Sequence, residues 1–259
     1  MTFGLGDRAV VVTGGSKGFG RIVARRLAAE GCSVALCARN AETLAATARE
    51  IETEYGVRVF ARSCDVTVPD ELGAFVDAAA EALGGLDGLV TNAGDAFGGG
   101  LMDSTPEEWT RTFELNVGHS AHAIRACVPH MRARGRGDVV IVSSISGWKP
   151  SRNTQYGASK AAEIYMASTL ARELATDRIR VNTVSPGSML IPGGGWDEFR
   201  QREPERYERF LGEFPGGALP SGEDVAEVVA FLLSDHARAV NGANIPVDAA
   251  QNAPAASGY

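Results

Sequence analysis

The sequence lacks any apolar run of membrane-spanning length; its apolar stretches, such as Val139-Val-Ile-Val142, are strand-sized. It also lacks the basic and apolar regions of a signal peptide, because Met1 leads straight into strand-like sequence. Cysteine is scarce, with Cys32, Cys37, Cys64 and Cys127 forming no C-x-x-C pair. That argues against a disulfide framework or a zinc knuckle and predicts reduced thiols in a cytoplasmic protein. Positive charge is not in excess: the formal net charge of −7 argues against a nucleic-acid binder. Histidine offers only one suggestive pair, His119 and His122 on a helical stretch. Without a third ligand at suitable spacing, both are expected to be structural, and no metal is predicted.

No repeat and no interdomain linker interrupts the chain, so residues 1–259 are expected to form one domain, a length that can bury a substantial core. Strand-like and helix-like segments alternate throughout, which predicts an α/β fold: a single-domain, Rossmann-type, doubly wound parallel sheet with helices on both faces. The first strand-like run, Arg8–Thr13, opens into Gly14-Gly-Ser16-Lys17-Gly18-Phe19-Gly20 and then a helix that stops at Gly31. A strand, a glycine loop and a helix N-terminus together make an anion site, since free N–H groups and the helix dipole both favour phosphate. The next strand, Ser33–Cys37, ends in Ala38-Arg39-Asn40, with no acid before Glu42. A carboxylate there would bind the ribose 2′-hydroxyl of NAD, whereas arginine accommodates the 2′-phosphate of NADP. Arg39 and Lys17 therefore predict NADP, with NAD the lesser choice.

A second concentration of chemistry lies after Val142. Ser143 and Ser144 are followed by a loop with Gly147 and Pro150, then by Tyr156-Gly-Ala-Ser-Lys160 opening a long helix. Residues four apart share a helix face, so the Lys160 ammonium can approach the Tyr156 phenol. A phenol titrates near pH ~10 and is a poor acid–base group at neutrality; a nearby cation favours phenolate and brings it toward working pH. A serine hydroxyl beside it can polarise a carbonyl oxygen.

The glycine pattern G-x-x-x-G-x-G, Asn92-Ala93-Gly94, Ser144, Tyr156-x-x-x-Lys160 and Pro186-Gly187 together resemble the short-chain dehydrogenase/reductase family, over about Leu5 to Val247. More narrowly, they resemble its NADP-dependent ketoreductases and 3-oxoacyl carrier-protein reductases. The resemblance implies hydride transfer between NADP(H) and a carbonyl or secondary alcohol, with Tyr156 as general acid or base. It implies that Lys160 lowers the phenol's pKa and holds the nicotinamide ribose, that Ser144 binds the reacting oxygen, and that Asn116 supports a water relay. Asp65 and Val66 match the adenine-contacting segment; Asn92, Ala93, Gly94, Pro186, Gly187 and Met189 match further cofactor contacts. Two departures stand out. Ser144 is one residue closer to Tyr156 than the family's usual spacing; Ser143 has that spacing, but the S-S-x-x-G pattern anchored by Gly147 selects Ser144. Ile191 occupies the position of a threonine that meets the carboxamide, a contact that Ser188 is expected to replace.

Pro192-Gly-Gly-Gly195 and the aromatics Trp196, Phe199, Tyr207 and Phe210 predict a small helix pair acting as a substrate lid over about 188–220. The substrate is expected to be a partly apolar small molecule: a cyclic ketone, a β-ketoacyl thioester or a polyketide intermediate, left unranked. The tail 249–259 reads as disordered. The family implies a homotetramer or homodimer packed through the Trp109–Arg134 and Tyr156–Ala175 helices. Two rivals remain on sequence grounds. One is a non-catalytic dinucleotide-binding regulator; the other is dehydration or isomerisation on the same scaffold.

Overall fold

Runs such as Ala9-Val-Val-Val-Thr13 have no polar face to show to water, so they form strands covered on both sides. In the computed structural model, which describes residues 2–150 and 153–251, seven strands form one parallel sheet, the central ones covered on both sides and the edge strand β3 largely exposed. They are β1 (Ala9–Thr13), β2 (Ser33–Ala38), β3 (Val59–Ser63), β4 (Gly88–Thr91), β5 (Gly137–Val142), β6 (Ile179–Pro186) and β7 (Asn244–Val247). The spatial order is β3-β2-β1-β4-β5-β6-β7. The helices are α1 (Gly18–Ala29), α2 (Ala41–Tyr55), α3 (Pro69–Leu83), α4 (Pro106–Phe113), α5 (His119–Arg134) and α6 (Thr154–Glu173). A further pair, α7 (Gly195–Arg202) and α8 (Pro204–Leu211), precedes α9 (Gly222–Leu233).

Strand alternation divides the core in two. Val10, Val12, Val90, Val140 and Val142 pack toward α1 and α9, while Ala9, Val11, Leu89, Val139 and Ile141 pack toward α3, α5 and α6. Capping follows the sequence closely: Thr105 and Glu108 close a capping box on α4, and Ser221 and Asp224 close another on α9. Pro246 lies in β7, the outermost strand beside β6, where a missing N–H is tolerated. Among the described residues no helix is long and apolar enough to cross a membrane.

Two expectations need correction. The helical stretch up to Arg134 is not uniform, because a π turn at Glu114–Gly118 joins α4 to α5. An extra residue in the turn is a common device at functional positions, and here it carries buried Asn116. The tail does not become disordered at 249 either. Ala249 and Ala250 turn the chain with φ of 50° and 64°, and Gln251 is buried with its side chain on Ser188 and Glu213. Satisfied amide groups hold this segment in place; residues 252–259 of the expected tail lie outside the described residues.

The strand order reverses between β1 and β4, which opens a crevice at their carboxyl ends. One hydroxyl ties the two strand ends together. Thr13 Oγ1 accepts the N–H groups of Asn92 (2.9 Å) and Ala93 (3.1 Å) and lies 3.0 Å from His119 Nε2. His119 Nδ1 lies 2.7 Å from Leu115 O, so it carries the hydrogen, and Nε2 accepts from Thr13. His119 thus serves the structure, as its sequence predicts.

This arrangement requires a neutral imidazole. Burial is the main cause that pushes the His119 pKa down to about 4, with the Lys160 charge acting in the same direction. Between that value and the ordinary value of about 6.5 the unfolded chain binds more protons, so stability is present above the window and lost as pH falls through it. From pH 7 to pH 5 the wild type should lose roughly 2 kcal/mol through this residue. Urea unfolding of His119→Gln should lack that component. An equally steep pH dependence in the variant would show that the imbalance lies elsewhere.

Candidate functional site

At the end of β1 the chain must turn sharply and then present backbone to the crevice. Gly14 and Gly18 do so with φ of 68° and 56°. At Gly20 a Cβ would collide with Gly14 O and come within 2.5 Å of Asn92 Nδ2, so this helix turn packs directly on the β4 loop. Asn92 Nδ2 in turn donates to Thr13 O at 3.0 Å. No side chain caps α1, and its first turn holds no acid. Its N–H groups are thereby left for an anion, as a dinucleotide pyrophosphate would require. Ser16 and Phe19 are buried in this loop, whereas Lys17 is exposed.

Arg39 and Asn40 lie exposed at the carboxyl end of β2. Asn40 caps α2, its Oδ1 accepting from Thr43 N at 2.8 Å, so only its amide hydrogens are free for a ligand. Neither Arg39 nor Lys17 forms a salt bridge among the described residues. Asp65 accepts from the N–H and hydroxyl of Thr67, which hold its carboxyl below the usual range, with the Arg39 charge assisting. Val66 beside it is buried. The four cysteines are free thiols, all buried.

The second cluster forms where β5 and α6 meet the crevice. Ser143 is buried and donates to Lys160 O at 2.9 Å, whereas Ser144 Oγ accepts from Ser146 N at 3.1 Å. The Ser143 hydroxyl hydrogen is therefore committed, and that of Ser144, which is only half-buried, remains free to donate. Lys160 is 3% exposed and its Nζ stands 5.5 Å from the centroid of the half-buried Tyr156 ring. The ammonium donates to Val142 O at 3.0 Å and contacts both oxygens of Glu163 at 3.0 and 3.2 Å. Glu163 escaped the sequence reading. An acid three residues beyond Lys160 on one helix was visible, but its burial was not.

Asn116 donates its Nδ2 to Asp95 O (2.8 Å) and Thr112 O (2.7 Å), leaving Oδ1 buried without a protein partner. A Cβ at Gly94 would come within 2.7 Å of that oxygen and 3.5 Å of Lys160 Nζ. Gly94 thus keeps open a small space bordered by an orphaned acceptor and an ammonium. Such a pairing suits water or a ligand hydroxyl.

Pro186 ends β6, and Gly187, Ser188 and Met189 follow it at the carboxyl edge of the sheet. Ser188 gives its N–H to Gln251 Oε1 (2.9 Å), and its hydroxyl accepts from Gln251 Nε2 (3.1 Å). Ile191 instead packs with the apolar core. Beyond it, α7 and α8 carry an aromatic stack in which Trp196 and Phe210 lie 4.3 Å apart, with Phe199, Tyr207 and Phe214 packed around them. A cleft of about 740 Å³ runs along this pair, lined by Trp196, Phe199, Phe210 and three arginines, and it does not include Tyr156.

The comparisons with known proteins agree with this geometry. A family described as enoyl-(acyl carrier protein) reductase matches residues 14–250. The dehydrogenase/reductase SDR family member 4 of Homo sapiens is 34% identical over 245 residues, covering 94% of this chain and 87% of that protein. Among solved structures, L-sorbose reductase from Gluconobacter frateurii, complexed with NADPH and L-sorbose, superposes with a TM-score of 0.90 at 32% identity, covering 97% of this chain and 98% of that one. An NAD+-bound xylitol dehydrogenase superposes with a TM-score of 0.87 at 30% identity, covering 95% and 99%.

Proposed function

Because this chain belongs to the short-chain dehydrogenase/reductase family, an oxidoreductase family, we propose that it interconverts a partly apolar carbonyl compound and its secondary alcohol with NADP(H). The observation that carries this reading is the Lys160 ammonium set beside the Tyr156 ring and, across the space kept by Gly94, near the orphaned Asn116 Oδ1, with the α1 N-terminus left uncapped. When bound, the nicotinamide supplies or accepts the hydride exchanged with the carbonyl or carbinol carbon. The loop Gly14–Gly20 and the α1 N-terminus would hold the pyrophosphate, Asp65 and Val66 would receive the adenine, and Asn92, Ala93 and Gly94 would support the middle of the cofactor. Pro186, Gly187 and Met189 would receive the nicotinamide, and Lys160 would hold its ribose.

The chain's own groups manage the oxygen. Ser144 donates a hydrogen bond to it, the free hydroxyl hydrogen being the feature that favours Ser144 over Ser143. Tyr156 gives its proton in reduction and takes one in oxidation. The Lys160 ammonium stands beside the phenol ring, and a water in the space beside Gly94 would link Lys160 to Asn116 Oδ1, giving the phenol a route by which it is recharged. The aromatic pair α7–α8 closes over the substrate as a lid. Assembly as a homotetramer or homodimer through α4–α5 and α6 accords with Tyr165 on α6, which is 76% exposed.

Tyr156→Phe removes the proton donor and leaves the cofactor groove intact. Its kcat should fall by roughly 10²–10⁴-fold with little change in the dissociation constant for NADPH. A purified variant that oxidises NADPH against a carbonyl panel as fast as the wild type rejects the assignment. An inactive wild type that still binds dinucleotide would instead favour a regulator.

The two serines separate by readout. Ser144→Ala should lower kcat by about tenfold or more through loss of the bond to the reacting oxygen. Ser143→Ala should mainly lower stability, by about 1 kcal/mol, through loss of the buried bond to Lys160 O. Matched losses in both assays would undo the choice between them.

The cofactor preference rests on Arg39 and Lys17. A ribose phosphate brings close to two negative charges, which an arginine fork and a lysine can match. NADPH should therefore give the higher kcat/KM, an advantage eroded by salt. Arg39→Asp should move preference toward NADH by repelling phosphate and accepting from the hydroxyl. Unchanged selectivity in that variant would place the discriminating contact elsewhere.

A further inference from the structure

Glu163 is 1% exposed and Lys160 3%, and nothing in the proton-transfer scheme requires an acid there. Both carboxylate oxygens lie against the ammonium that acts on Tyr156. With Val142 O also bonded, at least two of the three ammonium hydrogens are taken. A buried ion pair is a poor way to gain stability, because two desolvated charges seldom improve on apolar packing. α6 runs along an apolar layer that includes Ala167 and Ala171 and could have accepted a hydrocarbon side chain here. The pair therefore calls for a role beyond packing.

Charge accounting supplies one. Burial is the largest influence and lowers the Lys160 pKa, but the Glu163 charge, the Tyr156 oxygen and the hydrogen bond to Glu163 together outweigh it and hold the ammonium above its ordinary value. Burial also raises the Glu163 carboxyl, with Lys160 opposing. The neighbours are few. On α6 they are Lys160 and Tyr156; from β5 the Ser143 hydroxyl lies beside the carboxylate. From α5, His119 is neutral near pH 7 because burial pushes its pKa to about 4. Among the described residues α4 and β6, which also pack on α6, bring no charge to bear on either group. Seen from Tyr156, then, the ammonium 5.5 Å from its ring is paired with a buried carboxylate of opposite charge.

Resting on the reading of Tyr156 as the acid–base group, we propose that Glu163 is a positioning residue, a buried counter-ion that fixes the Lys160 ammonium and moderates its pull on the phenol. It thereby sets the pH at which Tyr156 changes protonation state. Glu163→Gln keeps the shape and can turn its amide toward the Ser143 hydroxyl while removing the charge. Glu163→Leu removes the charge without burying an amide, and Glu163→Asp retains it.

The test is a spectrophotometric phenolate titration of the full chain, each protein read against its own Tyr156→Phe counterpart, alongside the pH profile of alcohol oxidation. In Glu163→Gln and Glu163→Leu the Tyr156 phenol should ionise about one pH unit lower than in the wild type, and the acid limb of oxidation should move with it. Glu163→Asp should return both toward the wild-type position. An unshifted or upward-shifted phenol in either folded charge-free variant overturns the proposal. So does loss of fold in both, which would make Glu163 part of the scaffold alone. The titration needs no turnover. If the wild type oxidises no alcohol with either dinucleotide, the functional reading fails while the counter-ion proposal is still decided by the phenol.

Discussion

A single buried cation organises this site. Taking an ammonium out of water costs several kcal/mol unless its hydrogens find acceptors, and at Lys160 those acceptors come from two elements. Val142 O ends β5, and Glu163 sits one turn further along α6. Ser143, next to Val142, donates back to Lys160 O, so strand end and helix are bonded in both directions. This double bond between elements fixes where Tyr156 and Ser144 can be. Two hydroxyls carried on neighbouring elements gain a defined geometry from such rigid support.

The second constraint is at the strand crossover. Because β4 inserts beside β1, the Asn92–Gly94 segment ends next to the glycine loop, and the Thr13 hydroxyl joins the two. Both lone pairs of that oxygen are used by backbone N–H groups, so its hydrogen must go to His119. His119 and Asn116 lie on the two sides of the π turn's end, one serving the strand junction and the other the space beside Gly94. Changes in the α4–α5 connection therefore act on the strand junction and on the space beside Gly94 together.

Much of this was legible in the chain, and the rest was not for a consistent reason. Buried strands, capping boxes at Thr105 and Ser221, and the glycine loop announce themselves because each is a local pattern of a few residues. The family motifs extend that local reading to Tyr156, Lys160 and Asn116. What stayed hidden depends on burial or on distant partners. Glu163 reads as an ordinary charged helix residue until α6 is seen to face inward. His119 pairs with Thr13, 106 positions away. The π turn leaves no mark in periodicity, since one extra residue in a helix of mixed polarity shifts nothing that can be read. Asn40 looked free to meet a ligand, yet it also had the right type and place to cap α2.

Gln251 shows the same limit most sharply. Its neighbours in sequence are the small and polar residues that suggest a loose tail, yet its amide meets both the N–H and the hydroxyl of Ser188, beyond β6, and donates to Glu213, beyond α8. Lys149, in the loop between Ser144 and Tyr156, donates to that same Glu213 carboxylate and to Gln251 O at 3.0 Å each. Four separated stretches of chain thus share one polar knot: the serine–tyrosine loop, the segment after β6, the end of the aromatic helix pair and the turn at Ala249–Gln251. Lys149 and Ser188 are half-buried and Glu213 is exposed, so these bonds are of modest strength, and the knot can open without breaking the core. Its position ties the segment after α8 to the loop that follows Ser144. The polar groups that a composition-based reading assigns to solvent are, in this protein, the ones that fasten these separated segments to one another.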